Sequence, residues 1–270
     1  GLIRNLHYWS AQLLVVVSGL HLLRVIFTAA YRFPRRFNYL LGMILFLFLL
    51  LLNFSGYALR WDQGIQWALV TGTNLIKTIP GIGDGIYRML LGGEQLGAAA
   101  LLRFYAWHVM GLVLPGIFFL IWHIFRVRRD GGIAAPPRRL RKDQRKILRV
   151  ELVRREVLAM LYWGAGLLLL AALAPAPIAP PITEVNSLVG EVRAPWFFLW
   201  IQGLLRFGNP FWYGVVLPLL VLGFVSLIPY LFPAPAQEEL GSWFPPSGRP
   251  AQLAGGAVIL ILIILSILAW

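Results

Sequence analysis

Six stretches of the chain, residues 8–28, 39–59, 101–125, 157–174, 211–232 and 253–270, are apolar and long enough, or nearly so, to cross about 30 Å of hydrocarbon as helices. Inside a bilayer the backbone has no water to bond to, so a crossing segment must be a helix or part of a closed barrel. A barrel strand alternates between lipid and lumen faces, and a run such as MILFLFLLLL at 43–52 does not. An all-α polytopic membrane protein is expected. Composition agrees, with 59% hydrophobic and 13% charged residues in 270, against about 25% charged in soluble domains. A soluble enzyme and a disordered chain are excluded as first readings. The fourth stretch is the shortest, and Pro175, Pro177, Pro180 and Pro181 stop it. Gly1 to Arg4 lead straight into apolar sequence, which suggests upstream residues rather than a cleavable signal peptide.

The formal charge of +13 would suit nucleic acid on a soluble surface, but here it sits between apolar stretches, and no nucleic-acid partner is expected. The first connection holds Arg32, Arg35 and Arg36, and residues 126–156 hold twelve of the 24 basic residues with four acids. The even-numbered connections carry few: Arg60, Lys77, Arg88 and Arg103, then Arg193 and Arg206. Basic connections stay cytoplasmic, so the odd-numbered ones should face the cytoplasm across a bacterial-type cytoplasmic membrane. The run 138–155 reads as a solvated stretch facing lipid headgroups, with Leu140, Ile147, Leu148, Val150 and Leu152 offering an apolar side. Two outer connections are not plain loops. Residues 61–98 carry enough apolar surface for short helices packed on the outer face, and 175–210 contain Pro195-Trp196-Phe197-Phe198-Leu199-Trp200. Backbone at membrane depth is tolerated where it lines a cavity, and these two segments can wall one pocket.

All four histidines fall in or beside the first and third stretches, which run in the same direction. His7 and His21 are 14 residues apart, a rise of about 21 Å that returns to within about 40° of the starting face. His108 and His123 are 15 apart, a rise of about 22 Å that returns to within about 60°. His7 can therefore face His108 near the outer surface, and His21 can face His123 near the cytoplasmic one. Two imidazoles from facing helices suit haem iron, which takes trans axial nitrogens. Zinc would need three or four ligands together, and each level offers two. With no cysteine in the chain, covalent haem attachment, thiolate sites and iron–sulfur ligation are excluded. Two non-covalent haems are expected, and the four His are the expected iron ligands.

Arg4 and Arg24 each lie three residues from a histidine on its membrane-surface side, where guanidinium can fork onto a haem propionate or snorkel to headgroups. Gly42 and Gly56, again 14 apart, lie in the second stretch between the His-bearing ones. There they let a flat ligand approach the backbone or let helices pack closely.

These residues resemble cytochrome b of the Rieske/cytochrome b complexes. The likeness is carried by GLIRNLHYWSAQLLVVVSGLHLLR at 1–24, by Tyr31-Arg32-Phe33-Pro34-Arg35 and the glycine pair, and by Trp61-Asp62-Gln63 through Trp67. It continues through Thr73-Asn74-Leu75, Ile79-Pro80-Gly81-Ile82-Gly83 and Arg103-Phe104-Tyr105-Ala106-Trp107-His108. It covers most of residues 1–133, and the His spacing is nearer the photosynthetic and bacterial branch. The resemblance implies a di-haem four-helix-bundle unit at 1–133 whose first helix is missing from this chain. A basic cytoplasmic linker at 134–156 follows, then a C-terminal-type unit at 157–270 with three further transmembrane helices.

Further along, Pro195-Trp196-Phe197 sits where the family has a Pro-Glu-Trp-Tyr signature. Aligning the Trp puts Pro195 at the family's Glu, which is thought to take a proton from quinol, and Phe197 at its Tyr. Glu191 is a substitute a few residues away, or a plain loop carboxylate. The resemblance implies b-type haems, with quinol oxidised in the pocket between the 61–82 hairpin and the Pro195 segment. One electron would leave to a Rieske iron–sulfur protein and on to a c-type cytochrome or equivalent acceptor. The other would cross both haem levels to quinone near the cytoplasmic face, with Arg24, Arg129 and Asp130 as neighbours there. A homodimeric complex is the family habit. The alternative left open is a di-haem quinone-reactive anchor of a hydrogenase or formate dehydrogenase, without bifurcation. A non-redox transporter would hold no haem.

Overall fold

A computed structural model describes residues 1–132, 134–135, 147–182 and 193–270. Six helices have the length and apolarity to cross a membrane, one for each apolar stretch. Helix α1 (Leu2–Phe27) and α2 (Arg36–Ala58) form the first hairpin. Two short helices follow in the second connection, as its apolar content predicts: α3 (Gln63–Lys77) and α4 (Gly83–Leu91). Helix α4 stops at Gly92, whose left-handed φ of +74° lets its N–H reach back to the Arg88 carbonyl at 2.8 Å. The third span is α5 (Ala98–Ala106), a π turn at Trp107–Gly111, and α6 (Val113–Arg129). The rest comprises α7 (Arg149–Leu173), the short α8 (Leu199–Leu205), α9 (Leu217–Leu231) after a second π turn at Phe211–Val216, and α10 (Arg249–Ala269).

One element departs from the sequence reading. The end of the 138–155 run is not a separate segment: α7 begins at Arg149 and continues unbroken into the fourth apolar stretch. Glu151 accepts from Arg155 at 2.8 Å and faces Arg154 at 3.6 Å, so i,i+3 and i,i+4 pairing sustains a helix that hydropathy alone would end at 157. Leu140 lies outside the described residues.

Lipid is as apolar as leucine, so helices here are held by close packing and by polar groups that find partners on a neighbour, at about 0.6 kcal/mol each on average. Asn5 on α1 donates to Ala171 O (3.0 Å) and accepts from Ala176 N (3.1 Å), and Trp9 Nε1 donates to Ala174 O (2.7 Å), which docks α7. Tyr39 on α2 donates its hydroxyl to Val225 O of α9 at 2.8 Å. Gly203 of α8 lies against the Leu265 carbonyl so closely that any β-carbon would collide with it. Two apolar clusters cap the ends. Ile65, Leu69, Tyr87 and Leu91 pack beside Ala58 and Phe104 at the His7/His108 end. Ile26, Tyr31, Tyr39, Met43 and Ile228 pack at the other.

Candidate functional site

Helices α1 and α5–α6 both pack on α2, and their histidines meet at two levels. At the first, the His7 and His108 rings lie with centroids 6.1 Å apart and planes at 88°. Two imidazoles on opposite sides of one metal ion, with metal–nitrogen bonds of about 2 Å and about 1.1 Å from nitrogen to ring centre, have centroids about 6 Å apart. At the second, His21 and His123 both line a cavity of about 550 Å³, walled by α1, α2 and α6. Among the described residues no three His, Cys, Asp or Glu side chains come together as a zinc site needs.

Both glycines of α2 face a histidine ring. A β-carbon at Gly56 would stand 3.0 Å from His108 Cε1, and one at Gly42 would stand 3.3 Å from His123 Cε1. The two rings are therefore seated directly on the α2 backbone. Their tautomers follow from their partners. His123 Nδ1 lies 3.1 Å from Asn38 O, a carbonyl that can only accept, so Nδ1 carries the proton and Nε2 is free. His108 Nδ1 lies 3.0 Å from Ser55 Oγ, whose one hydrogen goes to Leu52 O at 3.0 Å, so Nδ1 again donates. Hydrogen bonds of this kind orient a metal-ligating imidazole and raise its basicity. Sequence reasoning missed Ser55 and Asn38. Each lies on the helix with a cradle glycine, Ser55 next to Gly56 and Asn38 one turn before Gly42.

The unequal His spacing also has a structural cause. Leu112 N bonds Trp107 O at 2.8 Å, an i→i+5 turn that takes up one more residue than an α turn. The interval of 15 between His108 and His123 thus matches the interval of 14 between His7 and His21. The π turn ends at Gly111, four residues before Pro115, where the proline ring would otherwise clash and no N–H is available. A second π turn, Phe211–Val216, likewise contains a glycine, Gly214, four residues before a proline, Pro218.

Around the second level the cavity wall includes Arg24, as the sequence predicts, and also Arg35, Tyr31 and Asn38. Burial lowers the Arg35 guanidinium below its ordinary range against the opposing pull of Asp130, and burial pushes the Tyr31 hydroxyl up to about 12. The Tyr31 hydroxyl and Asn38 Oδ1 are buried with no partner among the described residues. Two cations and unpartnered polar atoms beside an apolar slot fit a flat macrocycle with carboxylate arms. Asp130 is tied to Arg126 (2.9 Å) and Arg129 (3.3 Å). Arg4 is engaged elsewhere, donating to Ala176 O at 2.8 Å and reaching Asn5 Oδ1 at 3.4 Å.

Beyond the first level lies a second cavity of about 430 Å³. Tyr57, Gln63 and Ile65 wall it on one side and Arg193 and Pro195 on the other, so the 61–82 hairpin and the Pro195 segment do enclose a pocket. Trp196 and Phe197 anchor that segment. Trp196 Nε1 donates to Gln12 Oε1 on α1 at 2.6 Å, and the buried Phe197 packs edge-on to Tyr57 at 5.8 Å. Glu191 lies outside the described residues.

The protein family described as Cytochrome b(N-terminal)/b6/petB matches residues 12–183. Cytochrome b6 of Heliomicrobium gestii is 40% identical over 129 residues, 48% of this chain and 61% of the relative. The menaquinol:cytochrome c reductase cytochrome b subunit of Geobacillus thermodenitrificans is 36% identical over 136 residues, 50% of this chain and 60% of the relative. The matched part thus spans about 60% of the length of these relatives. A chain of a hyperthermophilic respiratory Complex III shares the fold over 99% of this chain and 76% of its own, with a TM-score of 0.73 and 18% identity.

Proposed function

The chain belongs to the cytochrome b(N-terminal)/b6/petB family, and from that premise we propose that it is the membrane electron-transfer subunit of a quinol:cytochrome c oxidoreductase. It oxidises quinol at the outer face and delivers electrons to quinone near the cytoplasmic face, coupled to proton translocation. Its partners are a Rieske protein and a c-type cytochrome or equivalent acceptor, in a homodimeric complex. Two b haems, when bound, supply reversible one-electron carriage. His7 and His108 would hold one and His21 and His123 the other, with Arg24 and Arg35 neutralising propionates at the second level. The basic first and third connections would face the cytoplasm.

The observation that carries this reading is the placement of the 430 Å³ pocket next to the His7/His108 pair, with Tyr57, one residue after Gly56, in its wall. A substrate there lies beside the first level, and the cavity at the opposite end is the one lined by His21 and His123. The Complex III-like fold extends through α10, beyond the four-helix part that a hydrogenase or formate dehydrogenase anchor would share, which favours the quinol:cytochrome c reading.

A redox titration of the purified complex tests it. Moving an electron toward the negative cytoplasmic side costs about 2.3 kcal/mol per 100 mV, so the haem at His21/His123 should have the higher reduction potential and should be reduced on adding quinol. A higher potential at His7/His108 would contradict this direction of flow.

A further inference from the structure

Among the described residues the pocket beside Pro195 has one charged side chain in its lining, Arg193. Its guanidinium carbon lies 3.0 Å from the centre of the Trp270 ring at the end of α10. Its Nη2 is buried and has no hydrogen-bond partner among the described residues. A buried cationic donor without an acceptor costs more than a neutral one, so the pocket is incomplete until an acceptor oxygen enters it. Contact with the indole face holds the guanidinium in place, and its unpartnered Nη2 can meet that oxygen.

Among the described residues the other charged groups nearest the pocket are already engaged, and Glu184 and Glu191 lie outside them. Arg60 and Asp62, at the start of α3, form a two-pronged pair with a closest approach of 2.7 Å. The Tyr57 hydroxyl on α2 bonds with Tyr8 and Gln12 of α1. Arg4 of α1 reaches Ala176 O, and Arg206 at the end of α8 donates to Leu268 O on α10. At the position where the resemblance expects a carboxylate stands Pro195.

Resting on the quinol reading above, we propose that Arg193 binds the quinol oxygen in this pocket and carries the charge left when its first proton departs. The O–H bond breaks heterolytically, the proton passes to bulk water, and the electron pair stays on the oxygen facing the guanidinium. No oxidant enters until the anion has formed. The site promotes deprotonation by holding a fixed cation against the departing proton's oxygen.

Initial rates of quinol-driven b-haem reduction in the purified complex, measured across pH, test this. Arg193→Gln should slow the reaction by about 100-fold near neutral pH, as loss of one oxyanion donor does elsewhere. Its rate should go on rising at pH values where the wild type has levelled off. Arg193→Lys, which keeps the charge but not the fork, should recover part of the loss, and the dithionite-reduced spectrum should be unchanged in both. A second measurement needs no variant: a hydroxynaphthoquinone with an acidic ring hydroxyl should bind the wild-type complex at least about tenfold more tightly than its methyl ether. Equal binding of the two analogues, or an Arg193→Gln complex with the wild-type pH profile, would overturn the proposal while leaving the quinol reading intact. A wild-type complex that quinol cannot reduce would overturn the quinol reading, and the proposal with it.

Discussion

The two histidine levels are built from the same parts and differ in what holds them. At the first, the rings of His7 and His108 are 6.1 Å apart and His108 is oriented by a side chain, the Ser55 hydroxyl. At the second, His21 and His123 line a cavity of about 550 Å³ and His123 is oriented by the backbone, through Asn38 O. The backbone at Leu52 also bonds the His108 ring, so at the first level the hydroxyl adds to a backbone contact, while at the second the Asn38 carbonyl acts without a side-chain hydroxyl beside it. Charge differs too. The second level has Arg24 and Arg35 in its wall, whereas Arg4 at the first is spent on the α1–α7 junction. A symmetric pattern in sequence need not give two equivalent sites.

The largest test of that contrast is ligand removal. His108→Ala should abolish one b haem and spare the other, and His123→Ala should do the reverse, as read from haem content and the split of the α-band. Loss of both haems from either variant would show the levels to be one unit. Next come the glycines. Gly56→Ala should displace its histidine more than Gly42→Ala, because the new β-carbon stands at 3.0 Å in one case and 3.3 Å in the other. Equal haem retention by the two variants would contradict this ordering. Ser55→Ala should weaken haem binding at the first level by about 10–100-fold, the usual effect of removing an outer-shell partner. Asn38→Ala keeps the carbonyl that orients His123 and loses only a wall side chain, so it should cost the second level less than Ser55→Ala costs the first, and equal losses would break the comparison.

The smallest effect lies in the connection beneath the second level. Glu239 Oε2 accepts from Ser247 Oγ and Ser247 N, which holds its carboxyl below the usual carboxylate range. Because the fold favours the charged form, this contact stabilises the loop at neutral pH and is lost as pH falls through the depressed folded value. Hydrogen exchange at the Gly241 and Phe244 amides, which bond Thr28 O and Phe27 O, should speed up in Ser247→Ala at neutral pH. The wild type should approach it only in acid. Identical exchange in the two proteins at neutral pH would show that the contact contributes nothing.

Much of this was legible because lipid and metal impose strict demands. Only helices satisfy the backbone along runs such as 43–52, and only paired imidazoles at helical spacing suit iron between helices. What escaped depends on local hydrogen bonding. The start of α7 follows from Glu151 meeting Arg154 and Arg155, which a hydropathy count reads only as charge. The π turn was signalled by Gly111 four residues before Pro115, and more faintly by the spacing of 15 against 14. Ser55, Asn38 and Arg35 act through position on α2 or the loop before it, and their residue types carry no signal alone. In the outer pocket many side chains can form a wall, so the sequence marked Pro195 as a departure but did not single out Arg193.

Haem content of the purified polypeptide, set beside its reduced-minus-oxidised spectrum, tests the paired-imidazole arrangement most directly. Two b haems per chain are expected, both low-spin and six-coordinate, falling to one in His108→Ala. A colourless wild-type chain, or a His108→Ala chain that retains two six-coordinate haems, would contradict it.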